Sequence, residues 1–339
     1  VPDYLSDLRE VVKRGEGSSL RRDQVLRKVR RFEIDAKRAG VDLNSIPQAE
    51  FVKNLQGDPR EWMFRLCATR LLRGDYSDWT GWEYRNQWAI DSYKAELPNK
   101  RWRYEKCRTL ALLGEQGIGD EIMFASCVPD ILEMGIRPTI ECEPRLVPIF
   151  RRAFGCEVVP RKPLTVKRQE EFFLPIGDLP RLLRKKKADF PPRRFLSVDP
   201  KKLEKWSGLR GRVGLAWRGR RGGFDPKELM KAAGVAHPVS LQYDAWPYEL
   251  EGMEVLPIDT KNDLEDMLAI CAKLERVVTV PQTVVHFAGP QVVPVDVVIP
   301  PVKTGRVMDQ LNYRYGLGPR MDWYPSVNVF QSLVEYRSH

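Results

Sequence analysis

The feature that most limits how this chain can fold is an alternation that begins at Arg108. Short apolar runs, "TLALL" at 109–113, "RPTIEC" at 137–142 and "CEVVP" at 156–160, are separated by helical stretches over about 121–134 and 144–154. Each run is too short for a helix and too apolar to leave one face wet. Both faces must be covered, as in a parallel strand with helices above and below. A second series repeats the rhythm, with strands at 211–217, 237–243, 275–280 and 293–300 and helices at 264–274 and 281–289. Between the two, residues 176–209 are rich in Pro, Lys and Arg and read as a linker ending in a short helix. The expected class is α/β: two Rossmann-like halves, with any ligand between them at the C-terminal ends of the strands.

The first hundred residues differ. "EWMFRLCATRLLRGDYSDWTGWEYRNQW" carries apolar residues at helical spacing without strand alternation, which predicts an all-α cap. The expected domains are 1–100 for the cap, 101–190 and 191–305 for the two Rossmann-like units, and 306–339 for a segment packing back toward the first unit.

A hydrophobic content of 42% over 339 residues is that of a folded chain with a large core. No apolar stretch approaches the ~20 residues of a membrane span. The stretch "VPDYLSDLREVVKRGEG" is charged where a secretory signal is apolar, so a soluble, cytoplasmic protein is expected. Six cysteines form no CxxC pair, and three histidines are too few for a zinc site; no metal is predicted. The net charge of +10 is concentrated in basic runs at 21–31, 161–168, 181–187 and 218–221. Singly each run is a solvated face; together they fit a polyanionic partner.

Three loops carry chemistry. "GEQGIGDE" at 114–121 sets three glycines and three acids between a strand and a helix. It reads either as a tight connection with a first-turn acid, or as a ligand loop in which Gly117 and Gly119 admit a ligand to the backbone and the helix N-terminus offers N–H donors. "VVTVPQTVVH" runs from strand to helix through Pro281, so the amides of Gln282, Thr283 and Val284 form a candidate anion site. "WRGRRGG" brings Trp217, Arg218, Gly219, Arg220 and Arg221 to a strand end. Helix-end anion binding contributes only ~0.3–2 kcal/mol, so an arginine fork on the same phosphates would matter more. Neither a P-loop nor a GxGxxG fingerprint is present.

"GEQGIGDEIMFASCVPDI", "IECEPRLVPIFRRAF", "VGLAW", "VSLQY", "VVHFAG" and "YRYGLGPRMDWYPSVNVF" together resemble the glycosyltransferase domain that follows tetratricopeptide repeats in many bacterial and phage proteins. That domain has the GT-B fold and is distantly similar to the lipopolysaccharide heptosyltransferases. The likeness covers roughly residues 65–332, and "LLRGDYSDWTGWEYRNQW" at 71–88 is similar to the last helical repeat before such domains. No 34-residue period runs through the first 60 residues.

The resemblance implies a metal-independent, inverting transfer from a nucleotide-sugar, a UDP-sugar by preference, with no permanently bound cofactor. It makes Asp120 the base that deprotonates the acceptor hydroxyl, with Glu115 and Glu121 as alternatives. The donor-binding set it implies is Gly117, Gly119, Trp217, Arg218, Gly219, Arg220, Gln242, Gln282, Thr283, Val284 and His286, the last matching the family's histidine. Pro281-Gln282-Thr283 stands where many distant relatives have an Asp-Thr pair, a departure in the side-chain part of donor recognition. The family's acceptors include glycans, lipid-linked sugars and proteins. The basic runs favour a hydroxymethylated base in phage DNA, met by Lys185, Lys186, Lys187, Arg314 and Trp323. Trp79, Trp82, Tyr84, Trp88 and Tyr324 either support such a flipped base or pack in the core. The competing class is a non-catalytic sugar-binding or scaffold protein on the same fold, for which the altered "PQT" is the best support.

Overall fold

The computed structural model describes residues 64, 67, 68, 70–85, 101–115, 117–161, 169–220, 222–301 and 313–339. Most of the expected helical cap, together with Trp88 and Arg221, lies outside the described residues.

The first unit is a parallel sheet of β1 (Thr109–Leu113), β2 (Arg137–Cys142), β3 (Glu157–Pro160) and β4 (Phe172–Pro175), in the order β3-β2-β1-β4. Its helices are α1 (Ile118–Ala125), α2 (Val128–Glu133), α3 (Val147–Phe154) and α4 (Leu179–Leu183). The single helix expected over 121–134 is thus two, broken at Ser126–Cys127, where Pro129 opens the second. β4 falls in "EFFLP", which the sequence pattern left unassigned ahead of the linker. The expected linker is not loose chain: Phe190, Phe195 and Leu196 are buried in the core, and it closes with α5 (Pro200–Lys205), capped by the Asp199 carboxylate.

The second unit contains β5 (Val213–Ala216), the hairpin strands β6 (Arg218–Gly219) and β7 (Gly222–Gly223), β8 (Val239–Ser240), β9 (Arg276–Thr279), β10 (Val295–Val298) and β11 (Val327–Phe330). Apart from the hairpin these form one parallel sheet in the order β11-β10-β9-β5-β8. Helices α6 (Pro226–Ala233), α7 (Leu264–Lys273), α8 (Thr283–Ala288) and α9 (Leu333–Arg337) cover it.

In both sheets the strand order reverses beside the first strand of the unit, between β1 and β4 and between β5 and β9. In open α/β sheets a crevice forms at such a reversal, at the carboxyl ends of the strands. The loops leaving those four strands are 114–117, 176–178, 217–223 and 280–282, and these hold Glu115, Gly117, Trp217, Arg218, Gly219, Arg220 and Gln282.

One apolar core runs through both units. It joins Leu110, Leu112 and Ile122 of the first to Val284, Val285, Phe287 and Val295 of the second. Residues 70–85 belong to this core and not to a detachable cap. Trp79 and Trp82 are buried, and their indoles donate to the carbonyls of Arg184 (2.7 Å) and Gly177 (2.5 Å). The C-terminal segment does two things: β11 completes the second sheet, while Tyr313 and Trp323 pack edge-on against Trp82 and Phe124.

Candidate active site

The acidic loop at the end of β1 is tolerable because each carboxylate has its own cation. Glu115 is buried, pairs with Arg85 and accepts the Gly177 N–H (2.9 Å). Glu121 is buried, pairs with Arg161 (2.7 Å) and accepts the Glu143 N–H (2.8 Å). Burial pushes its carboxyl up to about 7 against the pull of Arg161. Asp120 is held by both oxygens: Arg314 donates through Nε (2.5 Å) and Nη2 (3.0 Å). Three arginines from separate parts of the chain offset a repulsion that the eight residues alone could not accommodate.

The three acids are not equivalent. Glu115 and Glu121 serve as internal anchors. Asp120 occupies the third position of α1, three residues after the N-cap Gly117, where a carboxylate suits the helix N-terminus. Burial alone would raise the Asp120 carboxyl, but Arg314, His286 and the Gly117 amide together hold it below the usual carboxylate range. Asp120 is ionised at neutral pH.

Asp120 also lies where the two units meet. Gly119 faces α8 so closely that an added Cβ would stand 2.7 Å from Cδ2 of His286. Its glycine is therefore needed for packing between units, a reason local sequence could not give. His286 is buried, and its Nδ1 shares a hydrogen bond with the Tyr324 hydroxyl (3.1 Å). Burial, reinforced by Arg314, lowers the imidazole to about 4 although Asp120 pulls the other way, so the ring is neutral. Burial pushes the Tyr324 hydroxyl well above its ordinary value, and it keeps its proton.

On the second sheet, the loop after β5 turns into the β6–β7 hairpin. A Cβ at Gly219 would lie 2.6 Å from the Pro281 carbonyl oxygen, so this hairpin sits directly on the loop after β9. Gln242 staples it: its side-chain oxygen accepts the N–H groups of Trp217 (3.0 Å) and Arg218 (2.9 Å), and its amide donates to the Arg218 carbonyl (3.0 Å). Trp217 is fully buried, with its indole donating to Glu249 (3.2 Å). Arg218 pairs with the same Glu249 and donates to the Asp244 carbonyl (2.8 Å), while Arg220 is exposed at the hairpin turn. Gln282 is the N-cap of α8 without a side-chain cap bond; Thr283 is half-buried and Val284 is buried.

The expected nucleic-acid set does not come together. Lys185, Lys186 and Lys187 are exposed, and Lys187 pairs with Asp322 (2.8 Å). Trp323, by contrast, is 7% exposed and packed against Phe124 and Phe190, and Trp79, Trp82 and Tyr324 are buried too. The aromatic platform for a flipped base is core instead, because each ring has a packing or hydrogen-bond partner inside. Arg314 is likewise drawn inward to Asp120, with 19% of its side chain exposed. Among the described residues, no group of three or more His, Cys, Asp or Glu is placed to hold a metal ion, and no helix is long and apolar enough to cross a membrane.

No protein-family model matches the chain. Protein FlbA of Caulobacter vibrioides (strain ATCC 19089 / CIP 103742 / CB 15) is 29% identical over 348 residues, covering 86% of this chain and 56% of FlbA. The chain thus spans about half the length of that relative. Among solved structures, a family 9 glycosyltransferase from Veillonella parvula aligns over 70% of this chain and 89% of its own, with a TM-score of 0.47 and 10% identity. The E. coli ADP-heptose lps heptosyltransferase II aligns over 68% and 96%, with a TM-score of 0.45 and 11% identity. The iron-containing dodecameric glycosyltransferase TibC of enterotoxigenic E. coli aligns over 58% and 59%, at 0.41 and 12%.

Proposed function

We propose that this chain transfers a sugar from a nucleotide-sugar donor to an acceptor hydroxyl, on a GT-B arrangement of its two parallel units. One observation carries the reading: an ionised carboxylate, Asp120, stands at the first turn of α1 where the two units meet, beside a neutral His286. In the proposed step Asp120 takes the proton of the acceptor hydroxyl as its oxygen attacks the anomeric carbon. The bond to the nucleoside diphosphate breaks on the opposite face, with inversion. Arg218 and the amides at 282–284 receive the charge that grows on the departing oxygen, the task a metal performs elsewhere; ~4 kcal/mol of such stabilisation gives roughly a thousandfold in rate. The acceptor is proposed to be a hydroxyl other than that of a flipped DNA base. The exposed Lys185–Lys187 run favours a polyanion, but the rings that would stack a base lie in the core.

The test is a panel of UDP-, ADP-, GDP- and CDP-sugars, with released nucleoside diphosphate measured in the presence of a chelator. The expected result is release from one donor class, the uridine donors being the sequence-based expectation. Binding of a nucleotide-sugar with no release under any condition would favour the sugar-binding reading instead.

A further inference from the structure

The Asp120–Arg314 pair creates a difficulty for the reading above, and the way out of it is informative. A base must offer a carboxylate oxygen to the acceptor hydroxyl at hydrogen-bond distance. Both Asp120 oxygens are already taken by one guanidinium, in a bidentate pair whose side chains are only 14% and 19% exposed. The guanidinium lies over the Tyr313 ring at 4.6 Å, which fixes its plane. Of the described groups that face the pair, His286 on α8 is neutral and Tyr324 keeps its proton.

A nucleotide-sugar brings a diphosphate. His286, beside Asp120, lies one helical turn from the start of α8 at Thr283, and the Arg218 hairpin is seated on Pro281 just ahead of it. A diphosphate bound along that edge would lie on the His286 side of the seam, and His286 packs against Gly119, next to the Asp120 that holds Arg314. The diphosphate offers the fork a doubly charged partner of the bidentate kind that guanidinium groups prefer.

We propose that Arg314 is a latch: it holds both oxygens of Asp120 until the diphosphate of the donor takes the guanidinium over and so frees the carboxylate for the acceptor. This rests on the proposed function and deepens it, since it makes the order of binding donor first, acceptor second. It also gives Arg314 a positioning role in place of the acceptor contact expected from sequence. The energetic form is a linkage: the carboxylate and the diphosphate compete for one cation, so removing the carboxylate must tighten the diphosphate, reciprocally.

The test is a double-mutant cycle on nucleoside diphosphate affinity, measured by calorimetry with whichever of ADP, GDP, UDP and CDP binds the wild-type protein. Asp120→Asn, nearly isosteric, is expected to tighten binding about tenfold, within the range usual for coupled sites. In an Arg314→Gln background the same change is expected to give no gain. Arg314→Lys, which keeps a charge but not the fork, is expected to give a smaller gain, and it serves also if Arg314→Gln does not fold. No tightening by Asp120→Asn, or a gain that persists at full size without Arg314, would overturn the latch while leaving the glycosyltransferase reading intact, the second outcome being mere charge repulsion. No binding of any nucleoside diphosphate would instead overturn the reading on which the latch stands, and the latch with it.

Discussion

Gly119→Ala tests the seam between the two units with a single methyl group. The added Cβ meets Cδ2 of His286 at 2.7 Å and Nε2 at 3.2 Å, whereas carbons rest at roughly 3.5–4.0 Å. Either α1 and α8 separate by about 1 Å, or the imidazole leaves its 3.1 Å bond to Tyr324. The substitution gains ~0.8–1.0 kcal/mol of helix propensity, because position 119 lies in α1. Overpacking a filled site costs ~1–3 kcal/mol, so the net is a loss of roughly 0–2. Gly208→Ala is the control: nothing lies within 4 Å of its Cβ and its φ is not positive, so it is expected to stabilise by ~0.4–1 kcal/mol. Urea denaturation of the two variants should separate them by about 0.4–3 kcal/mol, with unchanged slopes. A Gly119→Ala protein as stable as Gly208→Ala would refute the close approach of the two units at this point.

Three further outcomes follow from the same contacts. Arg85→Met removes the cation shared by Glu115 and Asp178 while keeping its volume, and a buried pair broken in this way costs ~3–5 kcal/mol by denaturation; a cost below ~1 would show residues 70–85 to be peripheral. His286, at about 4 when folded against an ordinary 6.5, refuses a proton that the unfolded chain accepts, so its own contribution to stability is lost as pH drops from 6.5 toward 4, on the order of 3 kcal/mol. Glu121, at about 7 when folded against an ordinary 4.5, holds a proton that the unfolded chain has given up, so it gains stability over nearly the same range and offsets His286 in the wild-type profile. His286→Gln removes only the first contribution, so going from pH 7 to pH 4.5 should favour the variant over wild type by about 2–3 kcal/mol in denaturation; no such difference would mean that His286 is solvated. Asp120, lowered when folded, contributes its own loss only below the ordinary carboxylate range, outside this window. Arg218→Ala should weaken a nucleoside diphosphate more than the free nucleoside, and equal losses would place Arg218 away from the phosphates.

The strands and helices that depend on chain-local pattern were legible. β1, β2, β9 and β10 sit inside the apolar runs that announce them, and α7 fills 264–273 almost as its period predicts. β4 was not, because "FFLP" lies between charged "RQEE" and a Pro- and Lys-rich stretch whose composition dominates any window that contains it. The break between α1 and α2 was also hidden, since apolar residues continue across Ser126–Cys127 without a glycine. At the site, the sequence exposed Asp120 and its glycines but not their partners. Arg314 is 194 positions from Asp120, and Arg85 reaches Glu115 from the segment read as a cap. Long-range pairings of this kind leave no periodic trace. The tryptophans misled for a related reason: aromatic rings suit a core and a stacking platform alike, and only the carbonyls of Arg184 and Gly177 decide between them.

The most direct measurement is the turnover of Asp120→Asn, followed as nucleoside diphosphate release from the donor that the wild-type protein uses. Removing a general base costs ~10²–10⁴ in rate. Expected are a loss of that size, nucleoside diphosphate affinity undiminished, and a folded variant whose denaturation midpoint is lowered because Arg314 loses its charged partner. Turnover within a few-fold of wild type would contradict this and exclude Asp120 as the base.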